Sequence, residues 1–329
     1  MNNNKHQPRK DPIEKIRFWL IFGFIGVFVV IVLGIKMHKP IARSYNKTIE
    51  RVRPSATNKA EAEANPEIFI EQERLLAIQR MKIEMVFVEG GTFTMGWHDE
   101  IEPRLENLSY VVRSRPAHQV TVSSFYIGKY EITQAQWEAV MGTTIRQQED
   151  KARPPRSFSG IHGEGGNYPM YYVSWNEAQE FIRRLNAATG RNYRLPTEAE
   201  WEFAARGGNK SRGYLYSGGN NLDSVGWFNH NSGGAHPVGT KQPNELGIYD
   251  MSGNVQEWCH DWYQDGYPSS EQRDPTGPTS GSQKVHRGGG WRGLEVHCRL
   301  YFRWGVPSNY NNWQIGFRVA HSETKLLNN

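Results

Sequence analysis

The chain has two thiols, Cys259 in "QEWCHDW" and Cys298 in "HRGGGWRGLEVHCRLYFR". Such a sulfur can be a catalyst, a soft-metal ligand, half of a disulfide or core filler. The first two roles need a thiolate. Cys298 by itself is a weak sign of catalysis, because lone cysteines are among the most buried residue types. His118, His236 and His286 stand singly beside strands or turns, which suits hydrogen-bonded or surface histidines better than a metal cluster. Glu198, Glu200 and Glu202 in "TEAEWEF" are two apart and so spread around a helix, with Trp201 and Phe203 turned inward. Arg206, Arg287, Arg299, Arg303 and Arg318 are expected to tie loops together through bidentate carboxylate pairing. The sequence has no P-loop, dinucleotide fingerprint, HExxH or GxSxG pattern.

The elements that must position these groups are short. "MVFVEGGTFTMG" reads as a hairpin from Met85 turning at Gly90 and Gly91. "QVTVSSFYI" alternates as one strand, and Thr133 should cap a helix through "QAQWEAVM". Ser174 with Glu177 predicts a capping box, opening a helix whose apolar face is Ala178, Phe181, Ile182 and Leu185. "PTEAEWEFAAR" predicts a third helix, closed by Gly207 and Gly208. From Gly208 to Lys284 the chain is rich in turns, and such loops need a metal or tight aromatic packing to hold them.

The 329 residues are 37% hydrophobic, with 33 glycines and 11 tryptophans, enough for a sizeable core in a turn-rich fold. The net charge of +5 forms no basic stripe along the folded part, which argues against nucleic acid as a partner. "FWLIFGFIGVFVVIVLGI" carries no charge, and its helix would rise about 27 Å, near the thickness of a bilayer core. The expected organisation is a cytoplasmic segment over 1–17, a transmembrane helix over 18–36 and a spacer over 37–84 holding a helix from Glu67 to Arg80. A domain over 85–322, outside the cytoplasm, and a tail over 323–329 follow.

Six stretches, "EGGTFTMG", "YEITQAQW", "YRLPTEAEWEFAARGG", "GIYDMSGNVQEW", "RGGGW" and "IGFR", occur in this order between Met85 and Ala320. Together they resemble the formylglycine-generating enzyme, or sulfatase-modifying factor, family. The resemblance implies an α+β fold of the variant C-type-lectin type, with short helices, short strands and long ordered loops.

Active members of that family bind copper(I) with two cysteines five residues apart and oxidise a substrate cysteine to formylglycine. The matching positions here are Gly293 and Cys298, so the resemblance implies a member without the catalytic pair. The alternative is a formylglycine-generating or other thiol-oxidising enzyme that uses copper and Cys298. By the same resemblance Cys259 and Cys298 lie near one another, as a disulfide or as a reduced core pair. It also implies structural calcium held by the side chains of Asp250 and Glu257 and the carbonyls of Gly253 and Val255, with a second site near Asn220, Asn221 and Asp223. Some non-catalytic relatives bind ligands through a loop like "VPSNYNNWQIGFR", which here presents Tyr310, Asn311, Asn312 and Trp313. The expected function is that of a membrane-anchored binding or structural component of an envelope assembly, with a protein partner.

Overall fold

A computed structural model describes residues 66–97, 109–152 and 160–322. The expected membrane helix over 18–36, the segment over 1–17 and the tail over 323–329 lie outside the described residues. Among the described residues no helix is long and apolar enough to cross a membrane.

In chain order the elements are α1 (Pro66–Arg80), β1 (Met85–Val88), β2 (Gly91–Met95), α2 (Ser109–Val112), β3 (His118–Val122) and β4 (Phe125–Gly128). Next come α3 (Gln134–Met141), α4 (Ile145–Ala152), α5 (Trp175–Thr189), α6 (Glu198–Ala205) and α7 (Leu222–Val225). The remainder are β5 (Gln256–Trp262), β6 (Gln272–Arg273), β7 (Lys284–Arg287), β8 (Arg303–Val306), β9 (Ile315–Gly316) and β10 (Ala320–Ser322). Helix α1 starts within a residue of its expected position. Its Ile78 packs into the main core.

The strands form three small sheets, ordered β1-β4-β10, β2-β3-β6 and β8-β7-β5-β9. The hairpin expected at Met85 does not form, because β1 pairs with β4 and β2 with β3. The single strand expected over "QVTVSSFYI" is likewise split at Ser123 and Ser124. The two segments run side by side and change sheet at the same level. There the Gly90 amide donates to Ser124 Oγ at 3.0 Å. A Cβ on Gly90 would lie 2.6 Å from the Val122 carbonyl oxygen, so only glycine allows this approach.

The helix starts follow the local sequence. Thr133 with Gln136, Ser174 with Glu177, and Thr197 with Glu200 form complete capping boxes at α3, α5 and α6. Left-handed Gly142 and Gly190 close α3 and α5, as C-terminal glycines do. Ala178, Phe181, Ile182 and Leu185 are the buried face of α5. Phe181 stacks on Trp137 of α3, with ring centroids 5.6 Å apart, and Phe317 meets both rings edge-on. Helix α6 is buried at all eight positions, glutamates included. Such a helix must carry its own counter-charges, and these organise the site.

Candidate functional site

The segment after β7 is positioned by ion pairs with α6. Fully buried Arg287 donates to Glu198 Oε1 at 3.0 Å and to Glu202. The same guanidinium reaches the Leu300 carbonyl at 2.7 Å, so one side chain ties both ends of the loop over 288–300. Arg303 grips Glu198 through two bonds of 2.6 and 2.7 Å. Arg206 is a second guanidinium partner for Glu202, at 2.8 Å. Despite burial, these guanidinium charges hold the Glu198 and Glu202 carboxyls below their ordinary value. The expected bidentate carboxylate pairing forms at Arg303, and at Arg318 with Glu257, whereas Arg287 divides between two glutamates and Arg206 reaches one oxygen of Glu202. Arg299 lies 3.8 Å from Glu295 and stacks over Tyr216.

Within this loop the two positions of interest differ sharply. Gly293 closes a tight turn, its amide donating to the Gly290 carbonyl at 2.6 Å. A Cβ there would sit 3.0 Å from that carbonyl oxygen and 3.2 Å from the Gly290 amide nitrogen. Cys298 ends the 3₁₀ turn Glu295–Cys298 and is fully buried among Tyr216, Leu222, Val225 and Phe228. Its sulfur lies against the backbone of Gly289, where a Cβ would come within 2.7 Å. Burial pushes the Cys298 thiol far up, with the Glu295 charge adding to it. Cys259 is also a free, fully buried thiol pushed well up by burial, and it belongs to a different cluster with Trp201, Val285 and Leu300. Both cysteines are thus free thiols, each packed in its own apolar cluster.

Beside Gly293 the surface is aromatic and basic. Trp291 and Trp313 meet with centroids 5.2 Å apart, and the His162 ring lies 4.8 Å from Trp291. The guanidinium of exposed Arg292 stands over Trp313 at 5.4 Å. The loop over 310–313 is half-buried and held by its own backbone. The Asn312 carbonyl accepts from the Tyr172 amide at 2.9 Å, and Asn312 Oδ1 accepts from the Gln314 amide at 2.8 Å. Asn312 thus shapes the loop, and Arg292, absent from the expected set, flanks it.

The third assembly lies around the expected calcium residues. Asp250 and Glu257 are buried. Arg318 binds both oxygens of Glu257 at 2.6 Å, and the Trp201 indole donates to Oε2 at 2.8 Å. Asp250 Oδ2 accepts from the Gly239 amide at 2.7 Å, whereas buried Oδ1 has no hydrogen-bond partner. Glu131, which the sequence reading passed over, accepts from Asn254 Nδ2 at 2.7 Å and from the Val255 amide at 3.1 Å. Its signal was a carboxylate set between Tyr130 and Ile132 immediately before a helix cap. Three buried carboxylates thus face one guanidinium. Burial and the mutual repulsion of these groups raise the Glu131 carboxyl well above its ordinary value. Among the described residues no three His, Cys, Asp or Glu side chains form a ready metal cluster. The orphaned oxygen, the surplus negative charge and the curled backbone at Asp250, Gly253 and Asn254 (φ 61, 97 and 55°) do fit a hard cation held partly by carbonyls.

The remaining expected residues serve locally. Asn221 caps α7, Asn220 accepts from the Leu215 amide, and Asp223 accepts from Asn231. His236 stacks on Trp227 at 3.6 Å, His118 lies 5.0 Å from Tyr267, and His286 meets Trp258 edge-on.

Comparison with known proteins places these features. The profile of the FGE-sulfatase family, described as the sulfatase-modifying factor enzyme 1-like domain, matches residues 73–323. "Chaperone protein LppX" of Paenibacillus barcinonensis is 34% identical, over 73% of this chain and 90% of its own length. The formylglycine-generating enzyme of Mus musculus is 30% identical, over 75% of each chain. Among solved structures, Treponema denticola variable protein 1 superposes with a TM-score of 0.58 at 30% identity, covering 72% of this chain and 94% of its own. PvdO from Pseudomonas aeruginosa gives the same TM-score at 26% identity, with the same coverage.

Proposed function

This chain belongs to the sulfatase-modifying factor enzyme 1-like family, and on that premise we propose that it is a non-catalytic, membrane-anchored member that binds a protein partner in an envelope assembly. The observation that carries this reading is the pair of positions Gly293 and Cys298. The first has no thiol and sits in a turn with little room for a side chain. The second is a buried thiol whose ionisation is suppressed. A copper(I) centre of the two-sulfur kind needs two thiolates on one metal, and the other sulfur of the chain lies in a different apolar cluster. The description of the Paenibacillus relative as a chaperone is in keeping with binding in place of turnover.

The surface we assign to the partner is half-buried Tyr310 and Trp313 with exposed Arg292 at their edge, backed by buried Trp291. Tryptophan, tyrosine and arginine are the side chains that contribute most at binding hot spots, and Asn311 supplies an adaptable polar contact. The charge-free stretch over 18–35 would anchor the chain, with the domain outside the cytoplasm. Capture from solubilised membranes with the full chain, repeated with Tyr310→Ala and Trp313→Ala, tests the surface. Loss of the same proteins from both variants supports it, and unchanged recovery contradicts it.

Calcium belongs to this proposal as a structural ion. Asp250 and Glu257 would hold it with the carbonyls of Gly253 and Val255, and Glu131 would lie beside it. The ion would supply positive charge to a carboxylate cluster that Arg318 alone does not balance.

A further inference from the structure

A cavity of about 390 Å³ lies between the N-terminus of α6 and the proline-rich segment over 264–278. Its floor is Glu198, Asp261 and Arg303, and Pro268, Pro275 and Pro278 form part of its roof. Two of its three carboxylates are already committed. Glu198 is neutralised by Arg303 and Arg287. Asp274 accepts from the amide and hydroxyl of Ser123 at 2.6 and 2.7 Å.

Asp261 differs. It is only 4% exposed, and its Oδ2 accepts from the Glu198 amide at 2.8 Å, helping to cap α6. Among the described residues no donor reaches its Oδ1 and no cationic side chain pairs with it. The nearby Lys284 ammonium is spent elsewhere, bonded to the His260 carbonyl at 2.8 Å between the rings of Trp175 and Trp262. In the roof, a Cβ on Gly277 would lie 3.1 Å from Asp261 Oδ1, so the glycine leaves that oxygen uncovered. The Arg303 and Lys284 charges act on Asp261 only from beyond contact; a buried carboxylate with no cation bonded to it at the wall of a cavity is costly, and an arriving cation offsets the cost.

We propose that this cavity binds an organic cation, an ammonium or guanidinium group whose N–H donates to Asp261 Oδ1. The site is separate from the Trp291–Trp313 surface and does not depend on the partner reading. Burial, with the Glu198 charge adding to it, pushes the Asp261 carboxyl up to about 8. The other charged or titratable groups facing it are Glu200 from α6, Arg303 from β8, Lys284 from β7, His118 from β3, and Tyr267 and Asp274 from the roof segment. A bound cation favours the ionised form, so binding near neutral pH releases a proton.

The test uses the full chain and calorimetric titration with three probes: the Nα-acetyl methylamides of arginine, lysine and citrulline. Citrulline has the shape of arginine without its charge. The expected result is that arginine or lysine binds at least about tenfold more tightly than citrulline, the scale of one charge-assisted hydrogen bond. The bound cation should also release protons, seen as a dependence of the heat on buffer ionisation enthalpy. Asp261→Asn keeps an acceptor for the Glu198 amide and should abolish both the preference and the proton release without moving the melting temperature. Equal binding of citrulline, no binding of either cation, or cation binding undiminished by Asp261→Asn would overturn the assignment. Should Asp261→Asn fail to fold, the citrulline comparison on the unaltered chain decides alone.

Discussion

Arg318 and Glu257 form a fully buried bidentate pair, both bonds at 2.6 Å, joining the segment before β10 to β5. Removing one partner of such a pair leaves the other charge buried, which costs about 3–5 kcal/mol. Arg318→Met should therefore lower the unfolding free energy by an amount of that order in a urea titration. Arg146→Ala, which breaks the exposed contact with Glu164, should leave the midpoint unchanged.

Both thiols are buried, and burial raises both above the ordinary thiol value. Alkylation followed by intact mass should find neither Cys259 nor Cys298 modified in the folded protein, and both modified in denaturant. Rapid labelling of Cys298 under native conditions would restore it as a reactive group.

His286 supplies a pH dependence. Burial, helped by the neighbouring Arg287 charge, lowers its folded value to about 3. The unfolded chain takes up a proton near the ordinary value of about 6.5, and the folded chain refuses it. Stability is therefore lost as pH falls from about 6.5 towards 3, at up to about 1.4 kcal/mol per pH unit. His286→Leu should make the stability–pH curve shallower by one proton over that window, as read by denaturant midpoints at several pH values.

The fold was legible where hydrogen bonds are local. Thr133, Ser174 and Thr197 announce their helices because a cap and its partner three residues on lie within one turn. The hairpin at Met85 was misread because an alternating pattern fixes a strand's faces and says nothing of its partner. The two segments of β1–β2 and β3–β4 exchange sheets at Gly90 and Ser124, which is a tertiary fact. The charge pattern likewise concealed that Glu131 shares one buried region with Asp250 and Glu257, since it comes from a separate stretch of chain. Asp261 offered no signal beyond its type, because its isolation from cations depends on where Arg303 and Lys284 are spent.

Calcium removal tests the carboxylate cluster. Chelation should lower the melting temperature, and calcium, not magnesium, should restore it. At a ligand concentration a hundred times the dissociation constant the restored stability is about 2.7 kcal/mol. Asp250→Asn should shrink this response.

The central claim is that this member of the family binds and does not oxidise. The most direct measurement is to incubate the copper(I)-loaded full chain with oxygen and a cysteine-containing sulfatase peptide, and to read the peptide mass. The account predicts an unchanged cysteine, with Gly293→Cys also inactive, because its turn has little room for a side chain and Cys298 stays in its apolar cluster. Conversion of the peptide cysteine to the aldehyde, abolished by Cys298→Ser, would contradict it.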